Sequence, residues 1–100
     1  MKFEDSMIIR VYYAETDALG IVHHANYIKY LERARTEALR RQVVDLPALS
    51  RHYGVQFTVS QLDIKYVGSA RLDDKLEVKT RISKVGGASL HYEQAVYLAH

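Results

Sequence analysis

At 100 residues the chain is a single domain, and a chain this short gains from a partner subunit because alone it buries a modest share of its surface. Its 48% hydrophobic and 26% charged residues are ordinary for a globular protein, and a net charge of +2 with acids and bases interspersed offers no basic patch for nucleic acid beyond Arg40-Arg41. The absence of cysteine excludes disulfides, thiolate nucleophiles and zinc–thiolate sites; with no apolar run long enough for a membrane span and no signal-peptide pattern in the first ten residues, a cytoplasmic location is expected.

Residues 1–6 are polar and read as loose. Residues 7–13 alternate, with Ile9, Val11 and Tyr13 on one side and Ile8, Arg10 and Tyr12 on the other, which predicts a strand. Residues 14–25 have no period and carry Thr16, Asp17 and Gly20, so they read as a loop. Gly20 is placed either to supply a positive φ or to let a ligand approach the backbone. Asn26 is an N-cap candidate, because its side-chain oxygen can accept a free backbone N–H one turn in. Tyr27, Ile28, Leu31, Ala34, Ala38 and Leu39 then recur at helical spacing and predict a helix over residues 27–41. Arg33–Glu37 and Glu37–Arg41 are i,i+4 pairs on its wet side, and Glu32 and Arg35 suit a structural ion pair with each other or with the sheet.

Pro47 opposes continuation, so residues 45–53 read as a connection with room for a short helical turn after Pro47. Residues 55–67 are a long strand candidate whose alternation changes phase at Ser60-Gln61, the mark of a bulge or bend. Residues 68–74 form a turn. Leu76, Val78, Thr80 and Ile82 alternate with charged or polar neighbours in a one-sided strand. Gly86-Gly87 signals a hairpin, and Leu90, Tyr92, Val96 and Leu98 share a face of the last strand. The order β-α-β-β-β implies an antiparallel sheet with one long helix on its apolar face, a two-layer α+β fold.

Asp17, His23 and His24 are the densest cluster of titratable groups in the chain. A loop carboxylate beside a helix start can attack a carbonyl, or deprotonate a water that does so. The free N–H groups and dipole of the helix end can stabilise the oxyanion that forms. Such a site hydrolyses an acyl group without serine, cysteine, metal or cofactor. The competing reading of Asp17 is a turn hydrogen bond, common for aspartate in loops. His24 suits orienting a carbonyl or holding Asp17, or it is an exposed loop imidazole. His23 and His24 are adjacent, so their side chains diverge, and no third ligand stands at a recognised spacing; a metal site is not expected. Tyr13 either faces the loop or packs in the core, and from position alone core packing is the more natural reading.

The pattern Tyr13, Asp17, Gly20, Val22, His24 and Tyr27, followed by Glu32-Arg33-Ala34-Arg35, resembles the acyl-CoA thioesterases of the hotdog fold. The likeness is to the 4-hydroxybenzoyl-CoA thioesterase family, in the branch associated with the bacterial Tol–Pal envelope system. It is dense over residues 10–41 and continues more loosely through Lys65-Tyr66 and the turn at residues 70–74. The resemblance implies one hotdog domain over residues 1–100, a long helix wrapped by a curved antiparallel sheet. It implies homodimers or homotetramers with the site at the subunit interface, and acyl-CoA as substrate, hydrolysed to a free acid and CoA. Short-chain, aromatic and fatty acyl groups are all open. Asp17 matches the catalytic carboxylate, as nucleophile or general base, while Tyr13 and His24 match positions that line the site. Gly20, Val22, Ala25, Asn26 and Tyr27 would bind substrate, with the carbonyl oxygen toward the N–H groups of residues 25–27, and Lys84 is a candidate for the nucleotide phosphates. Leu19 and His23 depart from the family, which often has a small residue and an aromatic there. The family also carries a further strand after the one ending near Leu98, so this chain is expected to be a shortened form or to have that place filled by a neighbouring subunit.

Three other readings compete. A non-catalytic hotdog protein that binds acyl-carrier protein or an envelope or lipid-synthesis partner would keep the fold and tolerate loss of Asp17. A hotdog dehydratase would need a differently placed histidine and acid. A β-sheet nucleic-acid binder would need Tyr92 and Tyr97 on one basic face, and their opposite parity separates them.

Overall fold

The computed structural model describes residues 3–41, 47–48, 51, 58–86 and 89–99. Strand β1 spans Phe3–Arg10, helix α1 Ala25–Arg41, strand β2 Lys75–Val85 and strand β3 Leu90–Leu98. The sheet has the order β1-β2-β3 and is antiparallel throughout. Its first strand starts earlier than the alternation predicts and stops before Tyr13, because the chain leaves the ladder after Val11 and enters a single 3-10 turn, Tyr13–Glu15. The residues expected to be loose thus pair with β2, from Phe3 opposite Ile82 to Arg10 opposite Lys75.

The register stacks Ile9, Leu76 and Leu98 across the three strands, then Met7, Val78 and Val96, then Asp5, Thr80 and Gln94. This face carries the helix, and Ile9, Val11, Val22, Tyr30, Ala34, Ala70, Leu76 and Val78 form the core. Small residues at Ala34 and Ala38 let the helix lie close to the sheet, and both are completely buried. Tyr30 is the core side chain that the predicted stripe missed; Ile28, placed in that stripe, is exposed instead. The reason is the stripe's centre, which runs through Tyr30, Ala34 and Ala38, with Tyr27 and Leu31 packed on its flanks.

One buried polar network ties the layers together. Gln94 Nε2 donates to the Thr80 hydroxyl at 2.9 Å and to the Leu31 carbonyl at 3.0 Å, and Arg35 donates to Gln94 Oε1 at 2.9 Å. Thr80 is only 2% exposed, so each of these polar atoms needs its partner. Arg35 therefore meets the sheet, but through a neutral amide rather than the expected ion pair. The wet-side pairs differ from the predicted spacing: Glu37 pairs with Arg40, and Arg41 reaches Asp5 on β1 with two nitrogens.

Of the second predicted strand, residues 58–67 carry no regular structure and pair with none of the described strands, while residues 55–57 lie outside the described residues. Alternation chooses which side chains share a face, but a strand also needs a backbone partner, and no described strand pairs with this segment. The phase change at Ser60-Gln61 accordingly is no ladder bulge; the irregularity in the sheet lies between Ile82 and Lys84, where Ser83 donates its hydroxyl to the His91 carbonyl. Pro47, Ala48 and Arg51 are helical, in keeping with a short turn after the proline. Gly86 donates to the Ser89 carbonyl at 2.8 Å across the β2–β3 turn; Gly87 lies outside the described residues.

Two consequences are measurable. Ala34→Leu adds methylenes where no space exists, and is expected to cost about 1–3 kcal/mol in urea unfolding. The Tyr30 hydroxyl is raised far above the usual tyrosine range, first by burial and then by its hydrogen bond to Glu15 and that residue's charge. The folded state thus holds the proton that the unfolded chain releases near pH ~10. The stability this confers is present below that pH and is lost as pH rises toward the folded value. Melting temperature should fall more steeply above pH ~10 in the native chain than in Tyr30→Phe, which has no proton to release there.

Candidate active site

The loop between β1 and α1 is built by backbone hydrogen bonds at one end of the sheet. Val11 N–H donates to the Asp74 carbonyl at 2.9 Å and Val22 N–H to the Ala70 carbonyl at 2.8 Å, which pins both ends of the loop to the turn before β2. Thr16 and Val22 form an isolated antiparallel bridge, so the chain between them closes as a small loop with Asp17 at its start. Asp17 N–H donates to the Ile21 carbonyl at 2.9 Å, and Gly20 N–H donates to the Asp17 carbonyl at 3.0 Å. Gly20 has φ +77°, a conformation that glycine reaches without a steric penalty, and the space where a Cβ would stand is open.

The Asp17 side chain is exposed. Its Oδ1 accepts the Leu19 N–H at 2.8 Å, an Asx-type turn contact, and among the described residues Oδ2 has no hydrogen-bond partner. The two readings of this residue are therefore compatible: one oxygen holds the turn and the other faces outward. Leu19 beside it is 79% exposed and Tyr13 is 81% exposed, so Tyr13 does not pack in the core. Its carbonyl is occupied instead, accepting the Thr16 N–H and hydroxyl from within the 3-10 turn.

The helix starts at Ala25, two residues before the predicted onset, and Asn26 does not cap it. The Asn26 Nδ2 reaches back to donate to the Glu15 carbonyl at 2.9 Å. Histidine does the capping: His23 Nδ1 accepts the Ala25 N–H at 3.3 Å, the His23 carbonyl accepts the Asn26 N–H at 2.9 Å, and the His24 carbonyl accepts the Tyr27 N–H at 3.3 Å. Of the three N–H groups expected to face a substrate carbonyl, only that of Ala25 is held by a side chain, the kind of partner a rotation can withdraw. Against the expectation that adjacent side chains diverge, the rings of His23 and His24 stack, with centroids 4.3 Å apart, and both are exposed. Tyr66 buttresses His24 from the far side, ring edge against ring, and donates its hydroxyl to the His24 carbonyl at 3.1 Å. Tyr27 is half-buried, and its hydroxyl accepts the Ala70 N–H at 2.9 Å, so its side chain anchors the turn before β2.

The structure thus brings Tyr13, Asp17, Gly20, His24, Ala25, Asn26 and Tyr27 into one loop-and-helix-start unit. Val22 belongs to that unit as a core anchor, only 4% exposed. Lys84 does not join it: it lies near the far end of β2, and at about 3.4 Å per residue the ends of that strand stand roughly 30 Å apart. Sequence reasoning missed Glu15 and Tyr30, whose side chains meet at 2.9 Å beneath the loop. The signal for Tyr30 was available, since it stands three residues after Tyr27 and four before Ala34 on the helix period. Among the described residues no cluster of histidine and carboxylate groups is arranged to hold a metal, and no helix is long and apolar enough to cross a membrane.

Comparison with known proteins bears on the same region. The family model described as the thioesterase superfamily matches residues 19–100. The acyl-CoA thioester hydrolase YbgC of Escherichia coli is 44% identical over 88 residues, covering 88% of this chain and 65% of that protein. The acyl-CoA thioesterase YbgC of Haemophilus influenzae is 45% identical over 89 residues, again with 65% of its length covered. The chain therefore spans just under two thirds of these curated relatives. Among solved structures, a probable thioesterase from Bartonella henselae superposes with a TM-score of 0.90 at 34% identity, over 95% of this chain and 79% of that one. The helix-on-sheet arrangement is that of the hotdog thioesterases, and with the family match running from Leu19 through the helix to the last residue, the chain belongs to the thioesterase superfamily.

Proposed function

We propose that this chain hydrolyses the thioester of an acyl-CoA, giving a carboxylic acid and CoA, with Asp17 as the reacting carboxylate. The observation that carries the reading is the state of Asp17: exposed, fixed by one oxygen to the Leu19 N–H, and with Oδ2 unpartnered among the described residues, in the loop that leads into α1. An outward carboxylate oxygen on a closed loop is what either route needs. As nucleophile it adds to the thioester carbon, expels the CoA thiolate and leaves a mixed anhydride that water cleaves. As general base it takes a proton from the water that adds to the same carbon. In both, the carbonyl oxygen gains charge and is stabilised by donors at the helix start. The Ala25 N–H is the available donor once the His23 ring swings aside, and the helix dipole adds to it.

Tyr13 and His24 stand exposed on the two sides of this loop, as side chains that flank an acyl or pantetheine arm would. The exposed apolar surface of Tyr12, Tyr13 and Leu19 suits closure of the site by a second subunit in a homodimer or homotetramer. Lys84 is too far along β2 to serve a thioester bound at Asp17 of its own chain, so a contact to the nucleotide phosphates would come from the second subunit. Acyl-carrier protein is the alternative bearer of the thioester, and the reaction at Asp17 is the same.

Asp17→Asn keeps the shape of the side chain and its turn contact, and removes the charge. Thiol release from a panel of aliphatic and aromatic acyl-CoAs is expected to fall by about 100-fold or more in kcat. Unchanged turnover in the variant would remove Asp17 from the chemistry. No turnover by the folded native chain on any acyl-CoA or acyl-carrier-protein thioester would leave a non-catalytic binding protein as the better reading.

A further inference from the structure

Hydrogen bonds from three segments converge on Glu15, a residue that the loop's sequence does not single out. Its carboxylate Oε1 accepts the Tyr12 N–H at 2.8 Å and the Tyr30 hydroxyl at 2.9 Å. Its own carbonyl accepts Asn26 Nδ2 at 2.9 Å and the His23 N–H at 3.1 Å. The residue thus joins the end of β1, the start of α1 and the second turn of α1. Tyr30 is completely buried, and a buried hydroxyl or its acceptor left unpaired costs about 1–3 kcal/mol. The contact is therefore strongly favoured and well defined in place.

Asp17 follows Glu15 by two residues, with Thr16 between them bridged to Val22. The 3-10 turn closes on the same stretch, with the Glu15 N–H donated to the Tyr12 carbonyl. These contacts limit how Asp17 can shift against the helix start while Glu15 is held. We propose that Glu15 and Tyr30 form a positioning pair, in which the Tyr30 hydroxyl on the Glu15 carboxylate sets where Asp17 stands relative to the first N–H groups of α1. The inference rests on the thioester-hydrolase reading above. Neither residue is a catalytic one: Tyr30 is sealed in the core, and Glu15 is occupied by the loop's own donors.

The pair's geometry dictates how its variants differ. Tyr30→Phe deletes one oxygen and keeps the packing. Glu15→Ala removes the acceptor for both Tyr12 and Tyr30. Glu15→Gln keeps a carbonyl oxygen that can accept from both, and so acts as the conservative rescue. Thr80→Val serves as the comparison, since it breaks a buried hydrogen bond of the helix–sheet network without touching the loop.

The test measures steady-state thiol release by the full chain, together with hydrogen exchange at the Leu19, Gly20 and Val22 amides. Tyr30→Phe and Glu15→Ala are expected to lose about 10- to 100-fold in kcat, the scale on which small misplacements act, with KM changed less than threefold. Exchange at the three amides should quicken in the same variants. Glu15→Gln should recover most of kcat, and Thr80→Val should keep kcat despite its lower melting temperature. Should Glu15→Ala fail to fold, Tyr30→Phe decides the matter. Loss of kcat no larger than in Thr80→Val, or unaltered amide exchange in Tyr30→Phe, overturns the positioning role and leaves the hydrolase reading intact. A native chain inert on every thioester overturns the hydrolase reading, and the positioning role with it.

Discussion

A tyrosine hydroxyl taken completely out of water has to find an acceptor, and in this chain that need organises the site. Tyr30 lies on the second turn of the helix, too deep for solvent, and the only side chain it bonds among the described residues is Glu15. Glu15 belongs to a loop that its backbone contacts and a few short side-chain bonds otherwise hold. Once its carboxylate is drawn beneath the loop, the 3-10 turn, the Thr16–Val22 bridge and the Asn26 contact fit together around it. A demand made by the core is thereby transmitted to the exposed loop that carries Asp17.

The helix itself is held by different means along its length. Near its start, aromatic rings do the work: Tyr27 lies edge-on to Tyr30 and tilted against Tyr66, and its hydroxyl holds the Ala70 N–H. Beyond, alanines close the gap to the sheet, and the Gln94 side chain satisfies Thr80, Arg35 and the Leu31 carbonyl at once. At the last turn Arg41 crosses to Asp5 on β1. Apolar burial draws the layers together without choosing a register, whereas a side-chain amide with named partners admits only one. The proposed reaction lies where the loop meets the helix start, away from these contacts.

The outward face of the sheet has a separate character. Glu4, Arg81 and Glu93 stand in one row, Ser6, Lys79 and Ala95 in the next, with Lys79 over the Tyr97 ring and Ser6 bonded to Glu77. Mixed charges in these rows keep much of this face polar, while the adjoining row also exposes Ile8 and Tyr97 on either side of Glu77.

Much of the fold was legible in the residues. Period two across Leu76, Val78 and Thr80, and period 3.6 across Ala34 and Ala38, are set by local geometry, so β2, β3, the helix and the face each one buries could be read directly. The positive φ at Gly20 and the cluster around Asp17 were legible for the same reason, since turn residues announce themselves. Partners were not. Alternation in residues 58–67 states a preference, but pairing depends on which strand lies alongside, and none of those described does. Asn26 has the chemistry of a cap, yet His23 arrives at the helix end first and Asn26 turns to the Glu15 carbonyl. Lys84 lies toward the end of β2 away from the loop, a placement its charge could not reveal. By itself the sequence determined the element types, the apolar faces and the loop that bears the carboxylate, because these follow from neighbours along the chain. Only the tertiary structure decided that Glu15 binds Tyr30, that Tyr13 faces solvent and that Asp17 holds its turn through one oxygen, because a hydrogen bond is settled by what else is within about 3 Å once the chain has folded.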